Sequence, residues 1–374
     1  MEYEGSTTDD VRRISCAVVA SLGIQRKEER SAATGNNDGE RMVILGGVGA
    51  VRRIACFFGV VTVLVFSLNA MITSGLRHLK TGQYAVSNRI MQGQVNTQIV
   101  ITGSSRALSH YDPRIIRNGT GRSAFNLGRN GSQTDMQLAV LRAYLEHNRK
   151  PDMVIHNLDS FSFEATRKVY NPVQYVPYLY DEELYEPLRQ IDGNTWRSRY
   201  LPLYGYVVDD MSFAWILGLG ALVGWSPPEE FFLGFNPRDK KWTDEFRSFK
   251  AANAEGVAWP IDPEGMQRLE DLVHLCHQTG IQLILVYSPE YTEMQKLEKN
   301  RVEVFERFHE LAARYHAPFW DYSDWRYAGD TKYFQNSQHL NADGAAVFSA
   351  DLSNRLKEYF AAQSGPAINL QPTR

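Results

Sequence analysis

Cysteine is scarce in this chain: three residues in 374, at Cys16, Cys56 and Cys276. The first two fall in or before a long apolar run, so the main part of the chain holds one thiol and no internal disulfide. No CxxC pair and no Cys/His ligand spacing occurs, which argues against a structural zinc site. No metal and no other cofactor is expected. A surplus of one charge is missing too: the formal net charge is −3. No basic stripe runs through the sequence, so nucleic acid is not an expected partner. No internal repeat is visible. With 43% hydrophobic and 22% charged residues the composition is globular, which sets disorder aside as the default. Stability has to come from a core.

A long uncharged run is present. From Ile54 to Leu76 the sequence IACFFGVVTVLVFSLNAMITSGL carries no charged residue. As a helix rising 1.5 Å per residue it exceeds the roughly 30 Å of bilayer hydrocarbon. A buried core helix of that length would show a polar face, and this one shows none. An A-x-A-like cleavage site is not evident. A single transmembrane helix at 54–76 is expected, with the lipid bilayer as its partner. Arg52 and Arg53 before it are nearly balanced by Arg77 and Lys80 after it, so charge bias orients it weakly. Residues 1–40 are rich in Ser, Thr, Asn and charge, and 1–53 is expected to be a largely flexible tail. Translation from Met42 instead of Met1 would leave the span intact.

Beyond the span, strand-like and helix-like segments alternate. Gln98–Thr102, Ala124–Leu127, Met153–Leu158, Ile281–Tyr287 and Pro318–Tyr322 read as strands. A helix follows Ser132, whose spacing to Asp135 fits a capping box. Another begins with Asp262 as cap and Pro263 at its first position and stops at Gly280. A long charged helix is expected from Glu290 to about Tyr315, and a last one from about Asp343 to Phe360. Strands separated by helices imply an α/β fold, a mostly parallel sheet covered on both faces. A segment at about 165–260 breaks this rhythm and is dense in Tyr and Trp. It reads as an insertion over the carboxyl edge of the sheet, most of its aromatics packing its own core. Met211–Gly224 within it is apolar but short for a second span.

Four polar blocks fall at strand ends, where α/β sites form. Gly103-Ser104-Ser105-Arg106 follows the first strand. Asn126-Leu127-Gly128-Arg129-Asn130-Gly131-Ser132 follows the second and could offer backbone N–H groups to an oxyanion. Asn157-Leu158-Asp159-Ser160 ends the third, and Gln338-His339-Leu340-Asn341 precedes the last helix. Each alone reads as a turn or a structural side chain.

Their order, carried by GSSRAL…YDP, FNLG…G, the KPDMVI strand and HLNADGAAVF, resembles the SGNH/GDSL hydrolase superfamily. The nearest likeness is to its membrane-anchored branch of alginate O-acetylation and teichoic-acid D-alanine transfer proteins. The resemblance covers roughly 95–160 and 260–360 and leaves the insertion unexplained. It implies a flavodoxin-like three-layer sandwich lying outside the cytoplasm. It implies Ser105 as nucleophile and His339 as general base, with the Ser105 N–H, Gly131 and Asn157 forming the oxyanion hole. The family places Asp three residues before the His; here that position is Asn336. Loss of the carboxylate from a serine triad can cost about 10⁴ in turnover through the wrong tautomer. Asn336 could still accept through its amide oxygen, or Asp324 or Asp330 could take its place. Two functions stay open. One is an acyltransferase or esterase acting on O-acyl groups of envelope or exported polysaccharide, its acyl groups arriving from a membrane-bound O-acyltransferase. The other is a degraded relative that binds glycan or scaffolds a biosynthetic complex.

Overall fold

A computed structural model describes residues 37–208, 213–228, 231–239, 241–243 and 245–363, with side chains from Gly49 onward. Most of the tail expected over 1–40 lies outside the described residues. The chain divides into two compact units, Met1–Val60 and Val61–Arg374. The sheet and everything packed on it belong to the second.

Among the described residues, five short strands form one sheet: β1 (Ile99–Thr102), β2 (Ala124–Asn126), β3 (Met153–Leu158), β4 (Gln282–Tyr287) and β5 (Phe319–Asp321). Every pairing is parallel and the order is β2-β1-β3-β4-β5. Parallel neighbours cannot be joined by hairpins, so the chain has to cross a face of the sheet between them. The principal helices are α1 (Asn37–His78), α2 (Gly82–Met91), α3 (Ser105–His110), α4 (Pro113–Thr120), α5 (Thr134–His147), α6 (Glu182–Ile191), α7 (Ala214–Leu222), α8 (Pro263–Gln278), α9 (Arg301–Arg314) and α10 (Ala342–Gln363). Val100, Val154, Leu158, Leu285 and Tyr287 share one core with Leu141 and Tyr144 of α5, Leu272 of α8 and Phe308 of α9. Ile99, Ile101, Met153, Ile155, Ile284 and Val286 share the other with Ile116 of α4 and Phe348, Leu352 and Leu356 of α10. Two cores on opposite faces make three layers, and explain why the strands are mostly apolar. Burying each Leu, Ile or Phe contributes roughly 1.5–3 kcal/mol.

Several local expectations fail for identifiable reasons. The tail expected as far as residue 53 is helical from Asn37. The helix expected from Glu290 to Tyr315 is broken, with one turn at Thr292–Gln295 and then α9. In the gap, the Val257 N–H donates to Leu297 O and the Lys299 N–H to Val257 O, both at 2.7 Å. Those groups are held by the end of the insertion and cannot join a helical ladder. The capping box before α5 does not form: Gln133, not Ser132, holds the cap position, and the Ser132 hydroxyl donates to Arg129 O at 3.0 Å. Asp135 instead accepts from Thr166 Oγ1 at 2.5 Å and from Arg268 Nε at 3.1 Å. Asp262 does occupy the cap position of α8, but its carboxylate accepts from the Ala165 N–H at 2.9 Å.

The insertion is a set of short helices and turns. Tyr175, Tyr178, Tyr185 and Tyr206 are buried, but Tyr170, Tyr180, Trp196, Tyr200, Trp215 and Trp225 are exposed. Its aromatics therefore do not mostly pack its own core. Its later part returns over the carboxyl edge of the sheet. The Asn126 N–H donates to Leu233 O (2.9 Å), Asn236 N–H to Leu108 O (3.1 Å) and Ala342 N–H to Arg238 O (2.9 Å).

Candidate active site

β1 ends in Gly103, whose φ is 145°. A Cβ there would stand 2.8 Å from Ala107 Cβ and 2.9 Å from Asn157 Cβ, so only glycine makes this turn. Ser104 then caps α3, its Oγ accepting from the Arg106 N–H at 3.1 Å. Ser105 thus begins a helix at the carboxyl end of β1, beside the switch point between β1 and β3. Its own N–H lies in the first turn, where no intrahelical acceptor exists.

His339 arrives from the loop before α10. Its Nε2 lies 2.8 Å from Ser105 Oγ, across 234 residues of sequence. Its Nδ1 lies 3.0 Å from Asn336 Oδ1. That same oxygen accepts the backbone N–H groups of Gln338 at 3.1 Å and His339 at 2.9 Å. Two fixed donors require an acceptor, so the amide oxygen, not its nitrogen, faces the ring. Nδ1 then carries the proton and Nε2 presents its lone pair to the serine hydroxyl, the tautomer a general base needs. Enclosure first, then the guanidinium groups of Arg238 and Arg106, push His339 down to about 3, so it stays neutral. The ring's partner is Asn336; the Asp330 carboxylate instead accepts the Lys332 N–H at 3.0 Å.

A buried layer backs this pair. The Leu340 N–H donates to His110 Nε2 at 3.0 Å. His110 Nδ1 must then hold the proton it shares with Ser288 Oγ at 2.9 Å. Burial, with Arg106, His339 and Arg238 behind it, holds His110 well below the ordinary imidazole range. The two histidine rings meet edge to face, 6.3 Å between centroids. Arg106 donates to Ser288 O, pairs with Asp159 at 3.4 Å and lies 4.5 Å over the Tyr287 ring. It joins the carboxyl ends of β1, β3 and β4. Sequence reasoning missed His110, Ser288 and Arg238, because no spacing ties them to the serine or to its base.

The remaining expected residues divide. The turn holding Gly131 is tied to the serine turn, since the Arg129 N–H donates to Gly103 O at 3.2 Å. Gly131 has φ 60°, and a Cβ there would stand 2.4 Å from the Tyr170 ring. Next to it, Asn130 Oδ1 accepts from Arg238 Nη2 at 2.6 Å. Asn157 does not fit an oxyanion donor in this geometry. Its Nδ2 donates to Leu158 O (3.1 Å) and Asp159 Oδ1 (3.2 Å), and its Oδ1 accepts from Tyr111 OH (2.8 Å). Fully buried, it braces the end of β3. Beside the His339 loop lies an open cleft lined by Arg238, Lys241, Trp242, Lys332 and Asn341. Among the described residues, Glu146, His147 and Asp181 are the group whose ligand atoms cluster as a metal site would. That closeness follows from a His147–Asp181 contact of 2.6 Å and from Asp181 capping α6.

No family model and no curated protein matches this chain. Among solved structures it is similar to the psychrotrophic esterase EstA from Pseudoalteromonas sp., in a structure inhibited by monoethylphosphonate. The identity is 11% and the TM-score 0.37, over 70% of this chain and 97% of that one. It is also similar to a putative acylhydrolase from Bacteroides fragilis, at 11% identity and TM-score 0.33, over 69% of this chain and 87% of that one.

Proposed function

We propose that this protein is a membrane-anchored, serine-dependent acyl-transfer enzyme that makes or breaks O-acyl esters on an envelope or exported polysaccharide. The observation that carries the chemistry is the line Ser105 Oγ, His339 Nε2, His339 Nδ1, Asn336 Oδ1, with contacts of 2.8 and 3.0 Å. A serine hydroxyl is a poor nucleophile until a base takes its proton. In this reading His339 Nε2 accepts that proton as Ser105 Oγ bonds to the ester carbonyl carbon. The tetrahedral oxyanion is met by the Ser105 N–H and the Gly131 turn. Collapse expels the alcohol, which takes the proton from His339, and leaves an acyl ester on Ser105. A water or a sugar hydroxyl, deprotonated by His339, then accepts the acyl group and frees the serine.

The polysaccharide part rests on the cleft beside the His339 loop, where an indole and several polar side chains suit a sugar chain. The anchored part rests on Gly49–His78, long and apolar enough to cross a membrane. Such an anchor would hold the domain outside the cytoplasm, beside a membrane-bound O-acyltransferase supplying acyl groups. The test is labelling by a fluorophosphonate and release of acetate from an O-acetylated polysaccharide. Wild type should do both. Ser105→Ala and His339→Ala should each lose roughly 10⁴-fold or more, and the double variant little further. Equal labelling and turnover in folded Ser105→Ala would leave the glycan-binding alternative.

A further inference from the structure

We infer that α7 and its flanking residues form a collar that rests in the interfacial layer of a lipid bilayer beside α1. This goes with the reading of α1 as a membrane span. In sequence, Met211–Pro228 carries no charge and is bounded by Asp209-Asp210 and Glu229-Glu230. An apolar helix in a water-soluble domain buries its side chains; this one buries a single stripe, with Leu217, Leu219 and Ala221 packed partly against Ile72 and Leu76, and leaves the rest open. Only Ala214 and Gly218 of α7 are buried. Phe213 is 69% exposed and Val223 84%, with Trp215, Ile216, Leu222 and Trp225 also open. Val207 and Val208, on the far side of Asp209-Asp210 in sequence, are exposed too. Scattered apolar residues on a surface need no explanation, whereas a contiguous set marks a contact.

The neighbour of α7 identifies the occupant. A Cβ on Gly75 of α1 would stand 1.7 Å from Gly218 O, and one on Gly218 would stand 2.5 Å from Ile72 O. The two helix backbones touch, as small residues permit at helix crossings in membranes. Polar ties fix the arrangement: Thr73 Oγ1 to Tyr206 OH at 2.8 Å, the Leu203 N–H to Asn69 Oδ1 at 2.8 Å, and Thr81 Oγ1 to Pro227 O at 2.9 Å. Counted from Ile54, about 20 residues fill the hydrocarbon and end near Thr73. The crossing at Ile72–Gly75 is therefore level with the membrane boundary. Just before it Val63, Leu64, Phe66 and Met71 of α1 are exposed, so the apolar surface runs from the span onto α7. The nine residues of α7 reach only about 13 Å, too short to cross. Tryptophan prefers the headgroup level, and Trp215 and Trp225 lie within and just after this helix. Lipid, rather than a second protein, fits a surface that continues a span and carries no charge.

The test uses the full chain, one copy per lipid nanodisc, with lipids brominated either high or low on the acyl chain. High bromines should quench tryptophan emission more than low ones. Trp215→Phe with Trp225→Phe should cut that quenching by about twofold or more while the chain stays in the disc. Both residues are exposed, so the variant should fold. Equal quenching in wild type and double variant, with the chain retained, overturns the collar but leaves the span. Release of the chain from the disc overturns the span, and the collar with it.

Discussion

At Asn336 one amide oxygen accepts three hydrogen bonds, and two of the donors are backbone groups that cannot turn away. An amide at this position therefore holds the ring in one tautomer without a carboxylate: the loop's own N–H groups fix which atom faces Nδ1. It also separates two variants. Asn336→Ala removes the acceptor and should lower kcat roughly 10²–10⁴-fold with little change in KM. Asn336→Asp keeps the acceptor and adds a charge that favours the imidazolium, so turnover should rise. In wild type, with His339 pushed down to about 3, the base is free throughout the mildly acidic range. Its kcat/KM for ester hydrolysis should stay flat to about pH 4 and fall only below that. In Asn336→Asp the acid limb should move upward, toward the ordinary histidine value. A wild-type limb near pH 6.5 would contradict the enclosure of this ring. Ser105, His339 and the Asn336 position were singled out by the order of the four blocks and the resemblance that order carries; each alone reads as a turn or a structural side chain. Arg238 was not, since its approach depends on an insertion that obeys no repeat.

Among elements, the strands were the most legible, because burial on both faces leaves short, mostly apolar runs. Helix ends were the least. Ser132 has the right spacing for a cap, but the helix begins one residue later, with Gln133 at the cap position. The Glu290–Tyr315 segment has helical composition throughout, but the Val257 backbone bonds to residues 297 and 299 and interrupts it. That competition cannot be seen without the partner segment. The turn between β1 and α3 is the element on which the site depends most. Gly103→Ala would force a Cβ to 2.9 Å from Asn157 and hold alanine at φ 145°. It should destabilise the domain by about 2–4 kcal/mol, from overpacking plus backbone strain. Fluorophosphonate labelling of Ser105 should fall even well below the melting temperature. A Gly103→Ala protein with wild-type Tm and labelling would show that the turn has slack these distances deny.

For the whole molecule, the two cores set stability, and one buried group works against it. His156 lies on β3 with both ring nitrogens buried and neither meeting a protein partner. Burial pushes it down to about 3. The native state therefore binds fewer protons than the unfolded chain between that value and the unfolded one near 6.5. Its contribution to stability is complete above pH 6.5 and is lost as pH falls. His156→Leu removes both the orphaned polar atoms and the linkage. It should stabilise by about 1 kcal/mol at neutral pH. Its advantage should widen by about 2 kcal/mol by pH 5. Paired denaturation curves at the two pH values read this directly, and an advantage that stays constant would place the proton elsewhere.

The 234 residues between Ser105 and its base also put the site on a clock. Ribosomes add roughly 5–20 residues per second, so a new chain carries the serine for roughly 12–47 s before the histidine exists. Even then the loop must wait for α10 to close on α4. A serine hydroxyl without its base is nearly inert, so, on the proposed acyl-transfer reading, an unfinished or prematurely released chain would have no working nucleophile. On that reading the order of synthesis acts as a safety catch: the base follows the serine by most of the sheet, since β2, β3, β4 and β5 are all made in between.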